Sequence, residues 1–187
     1  DVCSSDLIFI ENNTFTASAT GTISLNSQLE NVYIRNNTNL DNVLLYTTNT
    51  NVTISQNTFY GNNQAQVSGL LLTAGATSSN FTVSENYFYS YFPSTSTGSN
   101  LRLISVVSDG LTFVTNTVRY MVTPPAAMQY TMVLASHGGT QLVYGNKIES
   151  PARGAGDADP CVALAIYPGT DRAQTLIARV QNNTFRN

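Results

Sequence analysis

The sequence predicts an all-β chain wound as a parallel β-helix, a solenoid of about six to seven coils of 20 to 37 residues each. Three observations predict it. One register (apolar, any, apolar, two polar, Asn, any, apolar) recurs seven times along the chain. A further β-rich run separates each copy from the next. No segment places apolar residues at helical spacing, and an interval of 20 to 37 residues cannot hold three short strands and a helical crossover together. Such a chain must coil, each strand pairing in parallel with its counterpart one turn later and burying a column of inward side chains.

The register is clean at residues 8–15, 52–59, 81–88 and 111–118, where alternation with period 2 marks a strand on each side of the Asn. Three copies are weaker: 32–39 loses its last apolar residue, 141–148 loses its first, and 178–185 begins with a small one. The runs between copies are 22–25, 43–46, 69–72, 101–107, 130–134 and 161–167. The shared Asn are Asn13, Asn37, Asn57, Asn86, Asn116, Asn146 and Asn183, at intervals of 24, 20, 29, 30, 30 and 37. Asn suits such a turn because it tolerates the left-handed backbone region and its amide can bond to an amide stacked above or below. At an inter-strand spacing of about 4.8 Å the seven form a ladder, which places Ile54, Val83, Phe113 and Val143 in the core.

This pattern resembles the right-handed β-helix of the pectin-lyase-like superfamily, with its asparagine ladder. The resemblance covers nearly the whole chain and implies the fold. It implies no single activity, because that fold serves lyases, hydrolases, epimerases, phage spikes and adhesins. Residues 1–7 precede the first register and read as a leader foreign to the fold, and 8–187 as one uncapped segment of a larger protein.

Charged residues make up 10% of the chain, against about 25% in an ordinary domain, while Asn, Ser and Thr fill a third of it. The net charge of −3 lacks the clustered Lys and Arg that displace counterions from phosphates, which excludes an electrostatic nucleic-acid binder. No apolar run approaches the roughly 20 residues that span a bilayer. Cys3 and Cys161 fall about five coils apart, roughly 24 Å at the inter-strand spacing, so they are expected unpaired, with Cys161 in the core. Five N-x-[ST] sequons, at Asn12, Asn36, Asn51, Asn80 and Asn182, are about as many as this composition produces by chance.

Offsets from the ladder Asn convert sequence into surface columns. One residue after it stand Thr14, Thr38, Thr58, Tyr87, Thr117, Lys147 and Thr184; three after it stand Thr16, Leu40, Tyr60, Tyr89, Arg119, Glu149 and Arg186. Adjacent coils thus gather Tyr60, Tyr87, Tyr89, Tyr91, Arg119, Lys147 and Glu149 on one outward patch. Aromatic faces beside charged hydrogen bonders suit a sugar, which has apolar C–H faces and a rim of hydroxyls; the plainer account is that Tyr and Thr are favoured strand residues.

Two further groups carry chemistry. The loop after Ile148 gathers Arg153, Asp157 and Asp159, whose carboxylates are hard ligands of the kind Ca²⁺ takes, but the further ligands such a site needs are missing. The expectation is no cofactor, with Ca²⁺ as the alternative. Asp109, His137 and Asp171 fall near equivalent corners of three coils, an acid–base constellation set in ordinary turn sequences. Against catalysis, the strands that would line a cleft in the resembled enzymes hold only Arg102 as a charge. The reading is therefore a non-catalytic β-helix segment of an extracellular or cell-surface protein, a scaffold with a carbohydrate or cell-surface partner. The alternative is a polysaccharide lyase or glycoside hydrolase with catalytic coils incomplete in this segment.

Overall fold

The computed structural model describes residues 7–16, 21–61, 71–91, 101–122, 128–136, 138–150, 162–168 and 176–186. These residues are all-β, without a helix. The strands are β1 (Ile8–Glu11), β2 (Thr22–Leu25), β3 (Leu29–Arg35), β4 (Asn42–Leu45), β5 (Asn49–Ser55), β6 (Thr58–Gly61), β7 (Leu72–Ser84) and β8 (Tyr87–Ser90). The remainder are β9 (Leu101–Val114), β10 (Thr117–Tyr120), β11 (Met128–Ser136), β12 (Gly139–Tyr144), β13 (Lys147–Glu149), β14 (Val162–Pro168), β15 (Leu176–Gln181) and β16 (Thr184–Arg186).

Every pairing between these strands is parallel, and each joins equivalent segments of successive repeats. The strands before the Asn turn and the intervening runs share one strongly curled 11-stranded sheet; the strands after the turn form a 5-stranded sheet in the order β16-β13-β10-β8-β6. Among the described residues, the intervening runs read from the sequence map onto β2, β4, β9, β11 and β14, and the last residue of the run 69–72, Leu72, opens β7.

Alternation explains the core. Ile10, Ile34, Ile54, Val83, Phe113, Val143 and Val180 are register partners in one column, and its members from Ile34 to Val143 are fully buried. A second column runs Phe59, Phe88, Val118 and Ile148; Phe59 stacks on Phe88 at 4.5 Å between ring centroids, and Phe88 also packs on Phe113 of the first column at 6.5 Å. Each fully buried side chain of this size contributes about 1.5–3 kcal/mol. In the last repeat the same inward positions lie open, Val180 at 44% and Phe185 at 47% exposure, since no described strand stacks beyond them.

The weak copies of the register have structural solutions. In the second, Asn39 adopts φ 58° and absorbs one extra residue, so Leu40 supplies the missing apolar side chain and bridges Phe59 in the next repeat. In the sixth, the missing apolar residue is Gln141, fully buried, whose Nε2 donates to the Ser108 carbonyl at 2.8 Å.

The seven shared Asn do stack. Each Oδ1 from Asn37 to Asn183 accepts both the backbone N–H and the Nδ2 of the Asn one repeat earlier, at 2.8–3.1 Å. Each of their Nδ2 groups also donates to a carbonyl of the preceding repeat, as Asn86 does to Ile54 at 2.9 Å. The turn, however, departs from the expectation that the ladder Asn itself is left-handed. The ladder Asn are not in the left-handed region; the residue before each one is, at Asn12, Asn36, Gln56, Glu85, Thr115, Gly145 and Asn182. The ladder Asn is selected for its buried amide alone. A second left-handed column runs through Asn31, Asn51, Asn80 and Gly110, with the Asn amides bonded in an outer row of their own.

Candidate functional site

The 5-stranded sheet turns its apolar residues inward and its odd offsets outward, so the outward patch follows from register. Thr58, Tyr87, Thr117, Lys147 and Thr184 pair in sequence along one row. Tyr60, Tyr89 and Arg119 pair along the next, and Glu149 pairs with Arg186. The Tyr60 ring lies 5.5 Å from Tyr89 and 6.0 Å from Tyr91, and Tyr87 stacks with Tyr89 at 6.1 Å. Beside these rings, Arg119 Nε donates to Glu149 Oε1 at 2.9 Å, while Glu149 Oε2 accepts the Tyr120 N–H at 3.0 Å. Partial burial, with Tyr60 and Tyr87 close by, raises the Tyr89 phenol above its ordinary range, and the Arg119 charge opposes that shift. All seven patch residues therefore share one face, Lys147 two strands from Tyr87.

Around the corner of this sheet lies a site that the sequence reading passed over. Gln56, Thr58, Glu85, Tyr87 and Thr115 line an open depression of about 330 Å³. Gln56 Nε2 donates to Glu85 Oε2 at 3.0 Å across it. Gln56, Glu85 and Thr115 occupy the left-handed column one residue before the ladder, and Tyr87 stands at its rim, half exposed. Applying the column arithmetic to the residue before the Asn, as well as to those after it, finds this site. The same arithmetic four and two residues before the Asn finds a smaller cluster on β1 and β3: Phe9 stacked on Tyr33 at 5.1 Å, with Arg35 over both rings and paired with Glu11.

The acid–base constellation is only partly visible. Asp109 Oδ1 accepts Ser136 Oγ and the Gly138 N–H, each at 3.1 Å, which fixes the next repeat's turn and makes Asp109 a structural acceptor. His137 and Asp171 lie outside the described residues, as do Arg153, Asp157, Asp159, Cys3 and Cys161. Among the described residues no three His, Cys, Asp or Glu side chains gather to hold a metal ion. On the face expected to line an enzymatic cleft, Ser105 and Val133 are only 8% exposed. Arg102 lies near Tyr167, whose phenol is raised above its ordinary range chiefly by a side-chain hydrogen bond with Tyr130. The five sequon Asn all adopt positive φ on exposed corners. No described helix is long and apolar enough to cross a membrane.

No protein-family model, no curated protein and no solved structure matches the chain.

Proposed function

We propose that the chain is a right-handed parallel β-helix segment of the pectin-lyase-like kind, from an extracellular or cell-surface protein, and that it binds glycan without turning it over. The observation that carries this reading is the joined platform of Tyr60, Tyr87, Tyr89 and Tyr91 with the Arg119–Glu149 ion pair on one outward sheet face. Ring faces and edges accept the C–H surface of a sugar, and the adjoining guanidinium and carboxylate meet its hydroxyls. A regular sheet holds these groups more rigidly than a loop does, which lowers the entropy lost on binding.

A glycan array probed with the wild-type chain and with Tyr87→Ala/Tyr89→Ala tests the reading. Binding that the double substitution abolishes supports it; binding left unchanged removes it. Incubation with pectin, alginate and glycosaminoglycans, with and without Ca²⁺, tests the competing lyase or hydrolase reading. Release of unsaturated or reducing ends overturns the non-catalytic one.

A further inference from the structure

Left-handed backbone is nearly free for Gly and tolerable for Asn, but other side chains adopt it at a cost, β-branched ones most of all. Ten described non-glycine residues have positive φ, and seven of them are Asn. The other three are Gln56 (φ 56°), Glu85 (φ 56°) and Thr115 (φ 53°). They occupy three consecutive repeats of one column, in which the remaining repeats place Asn12, Asn36, Gly145 and Asn182. All three line the same depression, with Thr58 and the exposed ring of Tyr87. Strain retained at one spot, where the neighbouring repeats avoid it, marks side chains kept for what they do there.

We infer that this depression is a subsite for a neutral, hydroxyl-rich sugar unit, held by the Glu85 carboxylate and Gln56 amide against the face of Tyr87. The inference rests on the glycan reading and deepens it. A carboxylate accepts two hydroxyl protons, and a carboxamide donates one bond and accepts another, which matches the alternating donors and acceptors of vicinal hydroxyls. The Gln56–Glu85 bond holds both planar groups in place and leaves Glu85 Oε1 available. Thr58 and Thr115 add hydroxyls. The volume of about 330 Å³ sits at the small end for ligand sites, suited to a single ring of a longer chain. The charge sets the class. Glu85 repels a uronate or sulfate, and neither Arg119 nor Lys147 is among the residues that line the depression, Lys147 standing two strands from Tyr87.

Titration calorimetry of the full chain with neutral hexose or pentose oligosaccharides, and with uronic acid oligosaccharides of equal length, tests the inference. The neutral series binds and the acidic series binds at least tenfold more weakly. Glu85→Gln weakens neutral binding about tenfold, as loss of a charged hydrogen-bond acceptor does. Thr115→Gly and Gln56→Asn weaken binding yet raise the thermal midpoint by about 2–4 °C each, because they relieve left-handed strain. Those variants are therefore folded when they fail to bind. Equal or tighter binding of acidic oligosaccharides overturns the inference. So does a loss of binding in Tyr60→Ala/Tyr89→Ala or Arg119→Ala while Glu85→Gln and Thr115→Gly bind normally; in that case the glycan reading stands. If no saccharide binds, both fall.

Discussion

Asn86 is the member of the ladder whose removal the structure evaluates most fully. It is 1% exposed; its Oδ1 accepts Asn57 N–H and Nδ2, and the two N–H groups of its Nδ2 are shared among Ile54 O, Ser84 O and Asn116 Oδ1. In Asn86→Ala several of these partners keep another bond. Asn116 Oδ1 retains the Asn86 N–H at 3.0 Å, Ser84 O retains the Gln56 N–H at 3.1 Å, and Asn57 Nδ2 retains Ile34 O at 2.8 Å. The Asn57 N–H loses its acceptor inside a closed core, whereas Ile54 O loses this donor but keeps its ladder bond to the next strand. A buried polar group left unsatisfied costs about 1–3 kcal/mol. One such group, with the small void and the weakened Ile54 O, gives about 2–4 kcal/mol, a large part of an ordinary domain's stability. Asn183→Ala is the matched control, because it occupies the same ladder position in the last described repeat, where water reaches it. There the expected loss is about 1 kcal/mol. Asn86→Asp keeps the shape but turns an oxygen toward Ile54 O, Ser84 O and Asn116 Oδ1. It buries an unpaired charge, and at neutral pH it is more damaging than Ala, recovering as the pH falls and the carboxyl protonates. Denaturant midpoints of the three variants read these differences. Equal losses at Asn86 and Asn183, or an Asp variant milder than Ala, refute the argument that unsatisfied core groups set the cost.

Two further predictions use the same protein. Phe88→Ala removes the middle ring of the Phe59–Phe88–Phe113 stack and costs about 3–5 kcal/mol, whereas Tyr87→Ala on the opposite face of the same strand changes stability by less than about 1 kcal/mol; paired denaturation curves check both. Tyr89 has a folded-state phenol raised above its ordinary value of 10.0, so its contribution to stability is intact below that pH and is lost as the pH rises through the folded value. Tyrosinate absorbance in an alkaline titration follows it: Tyr89→Phe removes a late-titrating group, and Arg119→Ala shifts that group later still.

What the sequence disclosed and what it concealed divide along a physical line. Features that recur in every repeat were legible, because stacking copies each constraint onto the next level. The inward column from Ile34 to Val143 and the Asn amides both read directly from period-2 alternation around a fixed residue. The outward rows of Tyr, Arg and Glu were legible for the same reason, since parallel register carries an offset unchanged from one repeat to the next. A departure from the repeat was harder to see. The extra residue at Asn39 looked like a missing apolar position, though Leu40 fills it one step later, and Gln141 looked like a defect, though it is a buried donor to Ser108.

The left-handed position is the instructive error. Asn chemistry permits positive φ and so points to the ladder Asn as the turn residue, but the left-handed residue stands one position earlier, where four of the seven repeats also place Asn or Gly. Only Gln56, Glu85 and Thr115 separate the two roles, since none of them suits that backbone. In a repeat protein the level that breaks a local rule is informative because its neighbours show the low-strain alternative at the same position. Three successive levels break the rule here, and the side chains they retain converge on one depression beside an exposed tyrosine. Conformational strain and surface chemistry therefore point to the same corner of the molecule, and that coincidence directs the search for a ligand there.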